Sequence, residues 1–402
     1  MSRHSRFLRP AGSFHTNLPM NPPYDVLVLG LGGMGSATAW QLARRGVRVL
    51  GLDRHGPAHD RGSSHGRTRV IRQAYFEHPS YVPLLQRSYE LWQEAERESG
   101  HALLTLCGGL MMGAPDSEVV RGSIRSAREH QLPHEILDAA EVRRRYPPIQ
   151  LPESHIALFE TRAGVVHTER AVQTHLDLAR AYGATLRFEE PVLSWEADGG
   201  GVRVRTTQGT YHAQRLVLTP GPWAPSLLAD LEIPLEVERQ VLFWFQPKAG
   251  IRDFLPGRFP IYIWDRPGER QPYGFPALDG PDGGVKIALF RTPDSNRCTP
   301  ETVERVIRPA DVDPMRSCLR ELLPDLDGPL LHATTCLYTN TPDHHFVVGP
   351  HPRHGDRVVL AAGFSGHGFK FCSVMGEILA DLALAGTTNH DLSLFRLDRF
   401  GR

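Results

Sequence analysis

Residues 24–53 read YDVLVLGLGGMGSATAWQLARRGVRVLGLD, and few folds accept that order of residue types. Tyr24–Leu29 is a Val/Leu run suited to a strand buried on both faces of a parallel sheet. SATAWQLARRG follows with Ala, Trp and Leu at helical spacing as far as Gly46, and VRVLGLD supplies a second strand ending at Asp53. Between the first strand and the helix, Gly30, Gly32 and Gly35 form G-x-G-x-x-G. Lack of side chains there permits a tight turn, close approach of a pyrophosphate and close helix packing. The unpaired amides and dipole at the helix N-terminus favour an anion. Asp53 lies where a carboxylate accepts hydrogen bonds from the adenosine ribose. An acid rather than an arginine at that strand end disfavours a 2′-phosphate, which leaves FAD or NAD.

The rest of the composition narrows the class mainly by exclusion. At 402 residues, 41% hydrophobic and 22% charged, the chain can build two packed cores. Lys plus Arg equals Asp plus Glu at 45 each, and no dense basic run offers a footprint for nucleic acid. No apolar stretch approaches the roughly 20 residues of a membrane span. Residues 1–19 are basic without the apolar segment of a secretory signal, so they read as a disordered leader or as a mistaken upstream start, Met20 opening a natural beginning. The five cysteines are scattered and form no C-x-x-C pair, which argues against a disulfide framework or zinc site and makes the cytoplasm the expected compartment. His344 and His345 are adjacent and would not point at one ion from regular structure, so no metal is expected.

Further along, Tyr81–Glu98 has a helical pattern with Leu84, Leu85, Tyr89 and Trp92 on one face, and it is expected to bridge the two domains. From about Val202 to Phe290, short alternating runs such as VRVRT, RQVLFWFQ and YIWDR predict an antiparallel, strand-rich domain. RLVLTPGPWAPSLL, from Arg215, reads as a buried strand and turn, and RVVLAAGFSGHGFKF, from Arg357, as a strand entering a glycine-rich loop before the helix CSVMGEILADLAL. The fold class expected is α/β, α+β overall: a Rossmann-type nucleotide-binding domain and an antiparallel-sheet domain interleaved in sequence. We assign 20–102, 160–225 and 335–402 to the former and 103–159 and 226–334 to the latter.

Three blocks, SSHGRTRVIRQAY (Ser63–Tyr75), CLYTNTPDHHFVVG (Cys336–Gly349) and GFSGHGFKF (Gly363–Phe371), occur in an order that resembles the monomeric sarcosine oxidase and N-methyltryptophan oxidase family of D-amino-acid-oxidase-like flavoproteins. The resemblance runs from about Tyr24 to the C-terminus and implies FAD, which makes the two domains FAD-binding and substrate domains. It implies a covalent bond from the Cys336 sulfur to the flavin 8α-methyl. Arg72 and Lys370 fall at the family's carboxylate-clamp positions, a task for which the planar fork of arginine is suited. Arg69 is implied on the flavin side, and Gly366 and Gly368 in the loop against the flavin. Lys286, in GGVKIALF, matches the lysine that assists reaction with oxygen; taken alone, a lysine in an alternating strand would be read as solvated. Tyr273 matches an aromatic bordering the substrate pocket, and His367 lies in the loop that should reach the flavin ring.

One position departs from the family. Four residues after Lys286, sarcosine oxidases usually carry a histidine, and this chain has Phe290, followed by Arg291. A phenyl ring makes the pocket more apolar. It suits a secondary amino acid bulkier than sarcosine, such as an N-methylated aromatic or a cyclic imino acid. The expected reaction is hydride transfer from the carbon beside the amine nitrogen to flavin N5, giving an imine, with reoxidation by O₂ giving H₂O₂. The expected partners are a small amino acid and O₂, with no nucleic acid and no membrane, and the enzyme is expected to be a monomer. The alternatives are an N-methyltryptophan or pipecolate/proline-type oxidase, a flavin dehydrogenase with another acceptor, an NAD-dependent dehydrogenase, or a flavin-binding protein without turnover.

Overall fold

The structure, a computed structural model, describes residues 23–266, 271–290 and 296–401. The leader at 1–19, Met20 and Arg291 lie outside the described residues. In the first of two eight-stranded sheets, β1 (Tyr24–Leu29) runs parallel between β2 (Val49–Leu52) and β12 (Thr210–Leu218), with β9 (Thr185–Arg187) parallel beyond β2. The free edge of β12 pairs first with β11 (Gly201–Thr206), antiparallel, and then with β19 (Gly355–Ala362), parallel. β10 (Val192–Asp198) and β18 (Val347–His351) add antiparallel outer strands. The apolar run of β1 is explained by burial on both faces. Val26 and Val28 pack with Trp40 and Leu42 of α1 (Gly33–Ala43), whereas Leu27 and Leu29 join a separate layer with Leu50, Leu52 and Leu228.

Two expectations are corrected here. VRVRT, read with the alternating runs of the antiparallel domain although it lies within the 160–225 segment assigned to the nucleotide-binding one, is β11 of the nucleotide-side sheet. Alternation marks a strand with unequal faces in any antiparallel pair, and the β10–β11–β12 hairpins supply such pairs on the flank of a parallel core. The helix α2 (Tyr81–Ser99) does not bridge the large sheets. It packs on α5 (Thr168–Ala181), α8 (Cys372–Ala385) and the short 3₁₀ turn at Phe369–Phe371, where Trp92 Nε1 and Ser88 Oγ both donate to the carbonyl of Lys370.

The second sheet runs in the order β17 (Leu330–Asn340), β13 (Glu236–Phe245), β16 (Val285–Phe290), β15 (Gln271–Gly274), β14 (Ile261–Asp265), β5 (Gly109–Gly113), β7 (Ile156–Glu160) and β6 (Glu135–Asp138). Its pairs are antiparallel except β14 with β5. α3 (Glu118–Glu129) and α4 (Ala139–Arg145) pack at its β5–β7–β6 end, and the one-turn α6 (Ala224–Leu227) follows β12. Period-2 alternation divides β16 between two environments. Val285, Ile287 and Leu289 enter a core with Phe243, Phe245 and the apolar side of α7 (Pro309–Leu322), while Ala288 and Phe290 face the other core with Trp244 and Tyr273. Lys286 shares that second face. A small third sheet, β3 (Thr68–Ile71), β8 (Gly164–His167) and β4 (Leu104–Leu106), carries Arg69 between the two large ones. Among the described residues no helix is long and apolar enough to cross a membrane, and no group of three or more His, Cys, Asp or Glu is placed to hold a metal ion.

Candidate active site

The glycine turn is built from close backbone approaches. Gly30 has φ of +89°, and a Cβ there would lie 2.4 Å from the Thr219 carbonyl oxygen. At Gly35 a Cβ would come within 1.7 Å of the Gly30 carbonyl oxygen. Backbone cannot yield as a flexible side chain does. Gly35→Ala is therefore expected to lower stability by about 3 kcal/mol or more, the upper end of overpacking costs, and to give protein without bound flavin; a thermal melt and a visible spectrum check both. Asp53 ties the turn to the end of β2: its carboxylate accepts from Leu31 N–H at 2.7 Å and from His55 N–H at 2.9 Å. Ser64 Oγ accepts from Gly33 N–H at the start of α1, at 3.0 Å.

A cavity of about 380 Å³ begins at Asp53, Arg54 and His59, passes Gly30, Gly32 and Ser64, and continues to Arg69, Tyr338, Gly366, Gly368 and Cys372. It is an elongated slot across the carboxyl ends of the parallel strands, where open α/β sheets bind dinucleotides. The residues present fit FAD: a glycine cradle with no room for a Cβ at Gly30 or Gly35, a carboxylate at Asp53, and a loop whose Gly366, at φ of +77°, has no room for a Cβ either, since one would lie 2.5 Å from the Tyr338 ring. α8 opens just after this loop, and its first residue, Cys372, lines the cavity beside Gly33.

Cys336 is buried on β17, and its Sγ accepts from Arg69 Nη2 at 3.3 Å. The same guanidinium donates to the carbonyls of Thr68 and Ser63 at 2.8 and 2.9 Å, so β3 and the Ser63 loop are pinned beside the sulfur. Lys286 lines neither of the cavities described here, yet it is buried rather than solvated. Its Nζ donates to Gly66 O at 2.6 Å, Thr68 O at 2.7 Å and Thr68 Oγ1 at 3.1 Å, with the Phe275 and Trp244 rings beneath it at 4.7 and 5.4 Å. Burial holds its pKa well below the usual lysine range, and the Arg69 charge adds to that.

A smaller recess, about 50 Å³, shares Arg69, Gly366 and Phe369 with the long cavity and is also lined by Arg72, Glu77, Tyr273, Phe290, His367 and Lys370. Arg72 and Glu77 form an ion pair of 2.7 Å with both side chains buried. Arg72 Nη1 donates to Ala74 O at 2.9 Å, its guanidinium lies over the Tyr75 ring at 4.2 Å, and its buried Nε has no hydrogen-bond partner among the described residues. Lys370 Nζ donates to His367 O at 2.7 Å and stands 3.5 Å from Tyr75 Oη. Its pKa is lowered to about 7, by burial first and then by the Arg72 charge, with Glu77 opposing both. An arriving carboxylate would favour the charged form.

His367 is more constrained than its loop position suggests. Its Nε2 lies 2.9 Å from the His344 carbonyl, which can only accept, so Nε2 carries the proton and Nδ1 accepts from Tyr75 O–H at 2.5 Å. Burial depresses its pKa to about 3. Both ring nitrogens are thus committed to protein partners, and the neutral imidazole serves as a wall and spacer beside Lys370. Tyr273 Oη meets Tyr338 Oη at 3.4 Å, and Phe290 packs against the Tyr338 and His367 rings. Tyr75, Glu77 and Ser64 were not singled out from the sequence. Glu77, five residues after Arg72, carried the one available signal: a carboxylate within reach of a candidate buried cation.

A glycine cradle, a strand-end carboxylate and a slot of this shape define a dinucleotide-binding oxidoreductase. The family model for FAD dependent oxidoreductases matches residues 25–382, and the chain belongs to that family. Within it, the relatives are the monomeric sarcosine oxidases and N-methyltryptophan oxidases. The chain is 54% identical to a monomeric sarcosine oxidase of Streptomyces avermitilis, covering 94% of this chain and 97% of that one. It is 37% identical to an N-methyl-L-tryptophan oxidase of Salmonella heidelberg, covering 94% and 100%. Among solved structures it superposes on NikD, an amino acid oxidase essential for nikkomycin biosynthesis, with a TM-score of 0.81 and 28% identity over 94% of this chain and 98% of that one. An L-proline dehydrogenase from P. horikoshii, at 22% identity and a TM-score of 0.80, shares the fold.

Proposed function

We propose that the chain oxidises a secondary α-amino acid, with FAD in the long slot joined to Cys336 and the substrate in the recess beside it. The observation that carries this reading is the pair of buried cations, Arg72 and Lys370, in a recess that also holds Glu77, Ile263 and Phe290 and that adjoins the slot at Gly366 and Phe369. The unpartnered Arg72 Nε supports a ligand carboxylate there. Bound FAD would supply a hydride acceptor at N5 and return the electrons to O₂ as H₂O₂. The chain's own residues orient the substrate carboxylate through Arg72 and Lys370, exclude water with Tyr273, Phe290 and Phe369, and hold a fixed positive charge at Lys286 for the charge that develops on oxygen. Loss of hydride beside nitrogen leaves an imine, which water hydrolyses to formaldehyde and a primary amine where an N-methyl group was oxidised.

Phe290 and Ile263 in the recess favour an apolar substrate flank, but the volume of about 50 Å³ runs against the bulkier N-methylated aromatic expected from Phe290 and favours N-methylglycine and small cyclic imino acids over an indole. A peroxide-coupled screen of N-methylglycine, N-methyltryptophan, pipecolate and proline tests this. Turnover of a compact secondary amino acid with stoichiometric peroxide is expected, whereas turnover with an artificial acceptor and no peroxide would favour a dehydrogenase. We take the FAD-binding domain as 20–102, 160–225 and the C-terminal part, and the substrate domain as the remainder. The membership of β17 in the second sheet along its whole length favours a boundary after Asn340 rather than before Cys336. A monomeric, cytoplasmic enzyme is part of the same proposal.

The linkage has its own test. Acid-precipitated wild-type protein is expected to keep essentially all its flavin in the pellet, and Cys336→Ala to release it to the supernatant. Flavin retained by the variant would assign the linkage elsewhere.

A further inference from the structure

Glu160 is a buried acid that the proposed reaction does not use. It ends β7 of the second large sheet and is 2% exposed. Its carboxylate accepts from Gln73 N–H at 2.8 Å and 3.0 Å, one distance to each oxygen, and from Ala74 N–H at 2.8 Å. These amides lie just past Ile71, where β3 ends, so no strand partner satisfies them. A buried backbone N–H must find an acceptor, and Glu160 provides it from a different sheet.

The turn that Glu160 grips is the one on which Arg72 rests. Arg72 Nη1 donates to the carbonyl of Ala74, the residue whose amide Glu160 holds. The next residue, Tyr75, lies under the Arg72 guanidinium and bonds His367 next to Lys370. We propose that Glu160 is a positioning residue that fixes the 72–75 turn and thereby sets the affinity of the Arg72 and Lys370 site for the substrate carboxylate. This rests on the clamp reading above. The geometry is that of a two-point hold: the carboxylate fixes the amide side of the turn, the guanidinium closes on its carbonyl side, and the free Nε then points from a fixed base.

Glu160→Gln keeps the shape but sets an NH₂ group against one of the backbone N–H donors. A double-mutant cycle separates action through Arg72 from general loosening. The second background is Arg72→Met with Glu77→Gln, which removes the buried ion pair as a unit. The readout is the dissociation constant of acetate from flavin-loaded protein, followed by the change in visible absorbance. In the wild-type background Glu160→Gln is expected to weaken acetate binding roughly tenfold, the worth of about one well-placed hydrogen bond. In the ion-pair-deleted background the change is expected to stay within about twofold, the limit of independent action. Equal losses in both backgrounds, or no loss in either, would overturn the proposal. If the deletion of the ion pair itself leaves acetate affinity unchanged, the clamp reading fails, and the role of Glu160 fails with it. Should Glu160→Gln not yield folded protein, Glu160→Asp withdraws the carboxylate from both amides while keeping its charge, and the same cycle and criteria apply.

Discussion

Lys286→Met is expected to slow reoxidation of the reduced enzyme by oxygen about 100- to 1,000-fold, the cost of removing a preorganised charge-stabilising group. Reduction by substrate should change only a few-fold. The asymmetry follows from location. Lys286 lines neither the slot nor the recess, and its Nζ is fixed by three oxygen acceptors on Gly66 and Thr68, the latter adjacent in sequence to Arg69, which lines both cavities. No step of substrate binding needs it, but a charge forming on oxygen in that water-poor region does. Because burial, followed by the Arg69 charge, depresses its pKa, the charged form is lost as pH rises. Wild-type reoxidation should therefore fall toward alkaline pH, and the Met variant should be flat over the same range. Stopped-flow traces of the two half-reactions decide the matter. A variant slow in reduction and normal in reoxidation would remove Lys286 from this role. Met also leaves the Gly66 and Thr68 acceptors without a donor, so some loss of thermal stability accompanies the kinetic change.

Deleting the Arg72–Glu77 pair as a unit, by Arg72→Met with Glu77→Gln, is expected to raise KM for an amino acid substrate about 10- to 100-fold. That range is the worth of a charge-assisted, two-point hydrogen bond to a carboxylate. Lys370 remains as the other clamp cation. Arg72→Met alone is a poorer experiment, because Glu77 would stay buried without its partner at a cost of about 3–5 kcal/mol. Glu77 is held below the usual carboxylate range despite burial, by Arg72 first, so it is charged at neutral pH and needs that cation. Steady-state kinetics and a thermal melt on the same preparations separate lost substrate affinity from lost stability. An unchanged KM would place the carboxylate elsewhere.

The sequence carried the nucleotide half of the molecule well, because its signals are local. The strand at Tyr24–Leu29, the glycine turn, the strand ending before Asp53 and the helix from Tyr81 are each set by a short pattern and its flanking residues. Sheet membership is not local: VRVRT alternates as any half-exposed strand does, and only its pairing with β12 places it beside the parallel core. Within the site, the quoted motifs contained residues that line the slot and the recess, such as Arg69, Arg72, Gly366 and Lys370, but did not say what each one touches, and Cys336 and Lys286 line neither. Lys286 is buried because Trp244 and Phe275 cover it, and those lie on other strands or another loop. His367 has both nitrogens engaged because His344 and Tyr75 arrive from distant segments. Glu160 is separated from the amides it holds by more than 80 residues, and no spacing rule reaches that far.

An anaerobic titration of the purified protein with N-methylglycine, N-methyltryptophan, pipecolate and proline, followed by admission of air, addresses the account as a whole. The expected result is a yellow protein whose absorbance is bleached by a compact secondary amino acid and restored by oxygen, with one H₂O₂ released per substrate oxidised. A colourless protein, or a yellow one that none of the four bleaches, would contradict it.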